Sequence, residues 1–345
     1  MMVLGSVAET VYGQDAQLQK IDHFIAEKYD SGEFSGNVLI AKDGKVVYLK
    51  SFGFANMDHS IPNQPETRFN IGSIGKLFTS IAILQLAQAG KLELTDQIGK
   101  HLPDFPEDKR EIRIRQLLLH TSGLSNYMTN SDYWERKQEY RSIDDILPLV
   151  MNETLLFEPG ERNEYSNSGF IVLGAIIEKL SGKKYGAYLI ENVWIPAGMA
   201  NTGLYYKEDI VKDRSTGYIR IDSATMISNV FDEPPAFSDG GVCSTVEDML
   251  KFDMALQDNK LLNEEYLKLW FTPQMGPMTY GPATVSAERS FSGKAAYGAM
   301  GGAPGISAIL HHVTGDNYTI IVLSNYDQIA LRLGLDIEKI LYSER

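Results

Sequence analysis

Cysteine is nearly absent from this chain of 345 residues: Cys243 stands alone. No internal disulfide can form, and the redox compartment is left open. Its setting after Gly240-Gly241 in an apolar patch fits a small buried thiol. No run approaches the ~20 apolar residues that a membrane-spanning helix needs. Basic charge is also short. Lys and Arg number 32 against 45 Asp and Glu, a formal charge of −13, which is the wrong sign for nucleic acid and gives no support to an anionic membrane surface. Several hydrolase signatures are missing too. No serine has glycine at both minus two and plus two, as G-x-S-x-G requires, no H-E-x-x-H occurs, and neither Ser-Asp-Asn nor Lys-Thr-Gly is present. The six histidines are scattered apart from His311-His312, so no metal and no cofactor are expected.

What is present begins with an ordinary globular balance, 43% hydrophobic and 22% charged residues, which excludes general disorder. The length allows one large domain or two closely packed lobes. Leu18, Ile21, Phe24 and Ile25 form one helical face, so residues 15 to 29 read as a helix. Asn37 to Ala41 and Lys45 to Lys50 flank Lys42-Asp43-Gly44, a strong hairpin signal. A second hairpin joins Ile306 to His311 with Tyr318 to Leu323. A closing helix carries Ile329, Leu333, Ile337, Ile340 and Leu341 on one side. Strands at both ends and helices between them predict an antiparallel sheet built from the two termini, covered by the terminal helices, with a large helical region inserted. The polar stretch from Gly276 to Gly293 reads as a strand and its turn near the cleft. Met1 to Gln14 lacks a basic n-region and is expected to be a disordered or residual export segment.

The segment Ser73-Ile74-Gly75-Lys76 opens an apolar helical pattern that continues through Leu77, Phe78, Ile81, Leu84 and Leu86. A serine hydroxyl is a weak nucleophile until a base takes its proton, and a lysine three residues on projects from the same helix face. The lysine can do so only if burial or neighbouring donors favour its neutral form. Gly72 lets the backbone approach a ligand closely. Ser181-Gly182-Lys183-Lys184 has the same S-x-x-K spacing, but it follows an amphipathic run and contains glycine, so it reads as a helix end with terminal cations. For Ser73 the plain alternative is a helix cap, and for Lys76 a solvated helix lysine.

Tyr165-Ser166-Asn167 is the only Tyr-x-Asn in the chain. With Ser73-Ile74-Gly75-Lys76 it resembles the serine β-lactamase and penicillin-binding-protein superfamily, and within that the class C β-lactamase, D,D-peptidase and esterase branch. The resemblance extends through Phe69-Asn70-Ile71-Gly72-Ser73 and through Ile114-Arg115-Gln116-Leu117-Leu118-Leu119-His120-Thr121-Ser122-Gly123-Leu124. It also takes in Asn167-Ser168-Gly169 to Leu180-Ser181-Gly182, then Gly240-Gly241-Val242-Cys243-Ser244-Thr245 and Gly301-Gly302-Ala303-Pro304-Gly305. It covers about residue 18 to about 342. It implies an α/β, β-lactamase/transpeptidase-like fold: one catalytic domain over 15–342, with an α/β lobe about 15–70 and 285–342 and a mostly helical lobe about 71–284, the active site lying where they meet.

The same resemblance implies that Ser73 is acylated, Lys76 acts as base, and Tyr165 relays the proton to the leaving group. Backbone N–H groups of Ser73 and Gly302 hold the oxyanion, and Asn167, Ala299, Met300 and Gly301 contact substrate. His120 is expected to shape a turn after a helix, not to relay charge. Tyr127, Tyr133 and Trp134 could overhang the cleft or pack into the core. One element departs from the family: where relatives carry Lys-Thr-Gly, His-Thr-Gly or His-Gly-Gly, this chain has Ala299-Met300-Gly301. Lys294 and Arg289 are the nearest cations that could compensate, and His311-His312 lies beyond the next strand. The expected activity is a serine acyl hydrolase acting on a small ester, amide or D-amino-acid-type peptide, not an efficient β-lactamase. The alternatives are a weakly catalytic or non-catalytic ligand-binding member, or a transacylase. A small molecule or short peptide is the expected partner, in a periplasmic or secreted setting with the cytoplasm left open.

Overall fold

Asp43 and Gly44 both take positive φ, 51° and 71°, the conformation of a tight hairpin turn between right-twisted strands. They join β1, Gly36–Lys42, to β2, Lys45–Phe52. The remaining strands of the main sheet come from the far end of the chain: β3, Ala283–Val285, β4, Ala296–Ala303, β5, Ile306–Val313, and β6, Tyr318–Ser324. Their order is β2-β1-β6-β5-β4-β3, antiparallel throughout, with β1 paired to β6 from Gly36↔Ser324 to Lys42↔Tyr318. This computed structural model describes residues 16–206, 208–222 and 225–343. The segment 1–14 expected to be disordered lies outside them.

β5 is buried along its whole length and β6 along most of it, because both faces of the sheet are covered. Alternation along each strand divides the side chains. Val38, Ile40, Ile309, Ile320 and Val322 meet the terminal helices α1, Ala16–Asp30, and α4, Ala330–Leu341, through Ile21, Ile25, Leu333 and Ile337. Leu39, Ala41, Leu310, Ile321 and Leu323 face the other way, into the core of the helical region. Each such fully buried Val, Leu or Ile side chain contributes about 1.5–3 kcal/mol.

At the centre of that core runs α2, Gly75–Gln88, in which every residue from Gly75 to Leu84 is buried. A helix covered on all sides is what an apolar pattern without a polar face requires. Phe78 packs edge-on against Trp194 and Phe252. Beside α2 lies α3, Ser168–Ser181, which ends at Gly182 with φ 70°. The second S-x-x-K is therefore a helix terminus, as its glycine predicts. The expected strand in 276–293 is only β3, and it pairs with β4 at Ala296, Tyr297 and Gly298 alone. From Ala299 onward β4 has no strand beside it on that edge among the described residues.

Candidate active site

Ser73 sits in a single 3₁₀ turn, Gly72–Ile74, that runs directly into α2. The turn is pressed against β4. A Cβ on Gly301 would lie 1.9 Å from the Ile71 carbonyl oxygen and 2.9 Å from the Ser73 nitrogen, and one on Gly72 would lie 2.7 Å from the Gly302 nitrogen. Real Cβ atoms do not come that close, so glycine at both positions is a steric requirement of bringing the serine's backbone against the strand. Gly72 also has φ 52°, which other residues adopt only under strain.

The serine Oγ lies 2.8 Å from the Tyr165 hydroxyl, and the Lys76 ammonium donates to it at 3.2 Å. Lys76 also donates to Asn167 Oδ1 at 2.7 Å and to the Asp239 carbonyl oxygen. These three acceptors match the three N–H bonds of an ammonium. To receive the serine proton, Lys76 must first lose the hydrogen directed at Ser73. Its side chain is buried, with Nζ 5.1 Å from the centre of the Tyr165 ring and 5.4 Å from that of Phe170. Tyr165 is half exposed, and its hydroxyl lies 3.3 Å from Asn167 Oδ1. Asn167 directly precedes α3, and its amide nitrogen reaches Asn126 Oδ1 and Met128 Sδ. Ser73, Lys76, Tyr165 and Asn167 thus form one hydrogen-bonded group.

His120 does not join that group. It turns the chain with φ 54°, and its Nδ1 lies 3.2 Å from both the backbone N and O of Ser166. Its ring packs, tilted, at 4.5 Å from that of Tyr165 and at 5.2 Å from that of Phe170. Burial, helped by the nearby Lys76 charge, pushes its pKa down to about 4, so the ring is neutral at ordinary pH and supports the face of Tyr165. Tyr127 and Tyr133 are fully buried, and Trp134 is partly exposed with its indole N–H donated to the Met128 carbonyl. Of the two placements open for Tyr127 and Tyr133, the core is the one adopted. Cys243 is buried, and burial pushes its thiol up to about 12, as an inert packing residue requires.

A cavity of about 410 Å³ opens in front of Ser73 and Tyr165. Leu77, Leu118, Phe170, Tyr280, Ala299 and Met300 give it a mainly apolar wall. Among the described residues that line it, Lys76 is the one cation and there is no carboxylate. Neither proposed substitute for the missing third-motif side chain reaches it. Lys294 pairs with Asp316 at 3.0 Å, and Arg289 lines a separate hollow beside Phe291. His311 touches the far end of the cavity, but its Nε2 lies 3.0 Å from Glu338 Oε2. Burial alone raises the Glu338 carboxyl, yet bonds from His311, Ser290 and Ser292 outweigh it and hold it at about 2.

Sequence reasoning missed Asp239. It is buried beside Lys76 in the loop before Gly240-Gly241, with Tyr127 donating to its Oδ2 at 2.8 Å. Its position ahead of two glycines was visible, but no spacing rule ties it to a lysine so distant in the chain.

Comparisons with known proteins show the family of the chain. The sequence model of the Beta-lactamase family matches residues 21–341. A putative penicillin-binding protein of Bacillus subtilis (strain 168), PbpX, is 32% identical over 316 residues, 92% of this chain and 75% of that protein. The crystal structure of a penicillin-binding protein from Bacillus halodurans superimposes with TM-score 0.82 at 32% identity, covering 92% of this chain and 98% of that one. A D-amino acid amidase from Ochrobactrum anthropi SV3 shares the fold, with TM-score 0.77 at 23% identity over 94% of this chain and 96% of its own. The chain therefore belongs to the Beta-lactamase family, within the serine β-lactamase and penicillin-binding-protein superfamily, and is a serine hydrolase.

Proposed function

We propose that this chain hydrolyses small neutral esters, amides or D-amino-acid-type peptides with apolar acyl groups through an acyl-enzyme on Ser73, and that it turns over β-lactams poorly. The observation that carries the reading is the placement of the Ser73 hydroxyl between the Tyr165 hydroxyl at 2.8 Å and the Lys76 ammonium nitrogen at 3.2 Å, at the mouth of an apolar cavity. A core polar cluster has no need to leave a serine and a tyrosine hydroxyl facing open space.

In this reading the Oγ of Ser73 attacks the acyl carbon while its proton passes to Lys76, directly or through Tyr165. Charge gathers on the carbonyl oxygen, where the backbone N–H groups of Ser73 and Gly302 receive it. The close approach of Gly72 to Gly302 and of Gly301 to Ser73 supports that pairing. The bond to the leaving group breaks, and Tyr165 returns the proton to the departing oxygen or nitrogen. Water then repeats the sequence on the acyl-enzyme and frees the acid. Asn167 holds Lys76 in place through its Oδ1 and is assigned here to the acyl-side amide of the substrate. Ala299, Met300 and Gly301 form the strand edge along which the substrate lies. Residues 15–342 make up the catalytic domain.

The wall of the cavity supports the preference for neutral acyl groups. A carboxylate brought in there leaves water without meeting a cation other than Lys76, which already has three acceptors. Rates of hydrolysis of p-nitrophenyl acetate and butyrate, a D-amino-acid amide, penicillin G and nitrocefin test this. The ester or amide is expected to exceed both β-lactams in kcat/KM. Efficient hydrolysis of nitrocefin by the unaltered protein contradicts it.

A further inference from the structure

Lys76 has one partner that the reaction described so far does not use, Asp239. There the chain places an acidic side chain in the interior. Asp239 is only 3% exposed. Its backbone oxygen accepts from the Lys76 ammonium, and its Oδ2 accepts from the Tyr127 hydroxyl at 2.8 Å. The loop that carries it is fixed to α2, because the Thr79 hydroxyl donates to the Ser238 carbonyl at 2.5 Å and lies 2.6 Å from the Tyr185 hydroxyl. Tyr127 is fixed in turn to the helix that follows Asn167, since its backbone N–H donates to Ser168 Oγ at 2.9 Å. Asp239 therefore touches the base through its own main chain and presents its carboxyl to a tyrosine tied to the Tyr165–Asn167 segment.

We propose that Asp239 is a positioning residue whose buried carboxylate sets how tightly the Ser73–Lys76–Tyr165 group holds its proton. The inference rests on the reading of Ser73 as nucleophile and goes beyond it, because a carboxylate is not needed to orient Lys76: the backbone oxygen already does that. The titratable groups that face it are Lys76 from α2, Tyr127 from the turn Tyr127–Thr129, Tyr133 from the helix Ser131–Arg136, and Tyr185 from the helix Tyr185–Leu189. Lys76 itself is also close to Tyr165, 5.1 Å from the ring centre, and to the neutral His120. Burial raises the Asp239 carboxyl above the usual carboxylate range, and the Lys76 charge and the Tyr127 hydrogen bond offset only part of that rise, so its charge is present towards the upper end of the pH range. The three tyrosines are all pushed upward, chiefly by burial, so they stay neutral and leave Lys76 as the charge that balances the anion.

The consequence for the reaction is a matter of sign. An anion in a low-dielectric interior favours the proton-loaded form of a neighbouring cationic site. When the serine proton arrives on Lys76, the ammonium that forms bonds the Asp239 main chain and feels the charge of its ionised carboxylate. The cost is that the resting site gives up its proton less readily. Activity thus rises only at a higher pH than the same three residues would show beside a neutral neighbour. The limb belongs to the coupled group and to no single atom in it.

The test is the pH dependence, from pH 5 to 10, of Ser73 labelling by a fluorophosphonate and of kcat/KM for p-nitrophenyl acetate, in the unaltered protein, Asp239→Asn and Asp239→Ala. Asparagine keeps an acceptor for Tyr127 and removes the charge. Alanine removes both and is smaller, so it fits the space. The ascending limb is expected to move to lower pH by about one unit in both neutral variants, while thermal unfolding shows folded protein. A limb that stays in place while the rate falls uniformly, a limb that moves upward, or failure of both variants to fold each assigns Asp239 to the structure alone and overturns the inference. If the unaltered protein is not labelled on Ser73, the nucleophile reading itself fails. Labelled protein with an unmoved limb refutes only the role of Asp239.

Discussion

Two stretches of this chain share the spacing S-x-x-K, and the structure treats them oppositely. Ser73 and Lys76 stand at the entry of a helix buried on all sides, where the lysine has lost water and gained Ser73, Asn167 and Asp239 as partners. Ser181 and Lys184 straddle the exit of α3. There Gly182 breaks the helix, the serine hydroxyl bonds locally to the backbone of Lys183, and the lysine pairs at the surface with Asp144 and Glu178. Those two carboxylates push the Lys184 ammonium further from neutrality, the reverse of what a base needs. The difference teaches that a nucleophile motif is made by desolvation and by a cavity in front of it, not by the tetrapeptide.

The comparison breaks most visibly at the serines. Ser73→Ala is expected to lower ester kcat by on the order of a thousandfold or more, since the acyl-enzyme cannot form. Ser181→Ala should leave kcat within about twofold, because it removes one local contact at an exposed helix end. Steady-state kinetics on p-nitrophenyl acetate decides it, and equal effects of the two substitutions would erase the distinction. At the lysines, Lys76→Met should cost on the order of a hundredfold or more, the usual scale of a positioned proton-transfer group, and Lys184→Met nothing measurable. Tyr165→Phe belongs with Lys76. Near-normal turnover by that variant on both an ester and an amide would remove Tyr165 from the proton path.

Ala299 sharpens the same contrast by asking what the desolvated site accepts. A Lys pointing at a substrate carboxylate makes a charge-assisted bond worth roughly 1.5–3 kcal/mol, or about tenfold to a hundredfold in specificity. Ala299→Lys should therefore shift the ratio of penicillin G to ester kcat/KM upward by about that factor. An unchanged ratio would show that the side chain at this position does not meet the acyl group's carboxylate. The smallest effect is expected at the helix exit. Gly182→Ala places a Cβ in open space but at φ 70°, so it should lower stability by roughly 1–2 kcal/mol in thermal or denaturant unfolding. Ester kcat should not change.

Much of this was legible in the residues. Asp43-Gly44 gave the hairpin because few residue pairs tolerate positive φ twice, and the runs Ile306 to His311 and Tyr318 to Leu323 gave the second hairpin. The helix entry at Ser73 followed from the apolar spacing after it, and the partnership with Tyr165 and Asn167 from the resemblance to the family. The strand expected within 276–293 shrank to Ala283–Val285 because polar turn residues crowd it. Lys294 and Arg289 looked available as charges because sequence distance does not say which face of β4 a side chain meets, and Lys294 is held by Asp316 instead. Asp239 was hidden for a related reason. Its carboxylate matters only because the fold buries it behind a lysine 163 positions away, and nothing local to Ser238-Asp239-Gly240 reports that burial.

The central claim is that Ser73 is the nucleophile, and the most direct measurement is intact mass followed by peptide mapping after exposure to a fluorophosphonate. The account predicts a single adduct on the peptide containing Ser73, lost in Ser73→Ala and retained in Ser181→Ala. An adduct on Ser181 or Ser122, or undiminished labelling of Ser73→Ala, would contradict it.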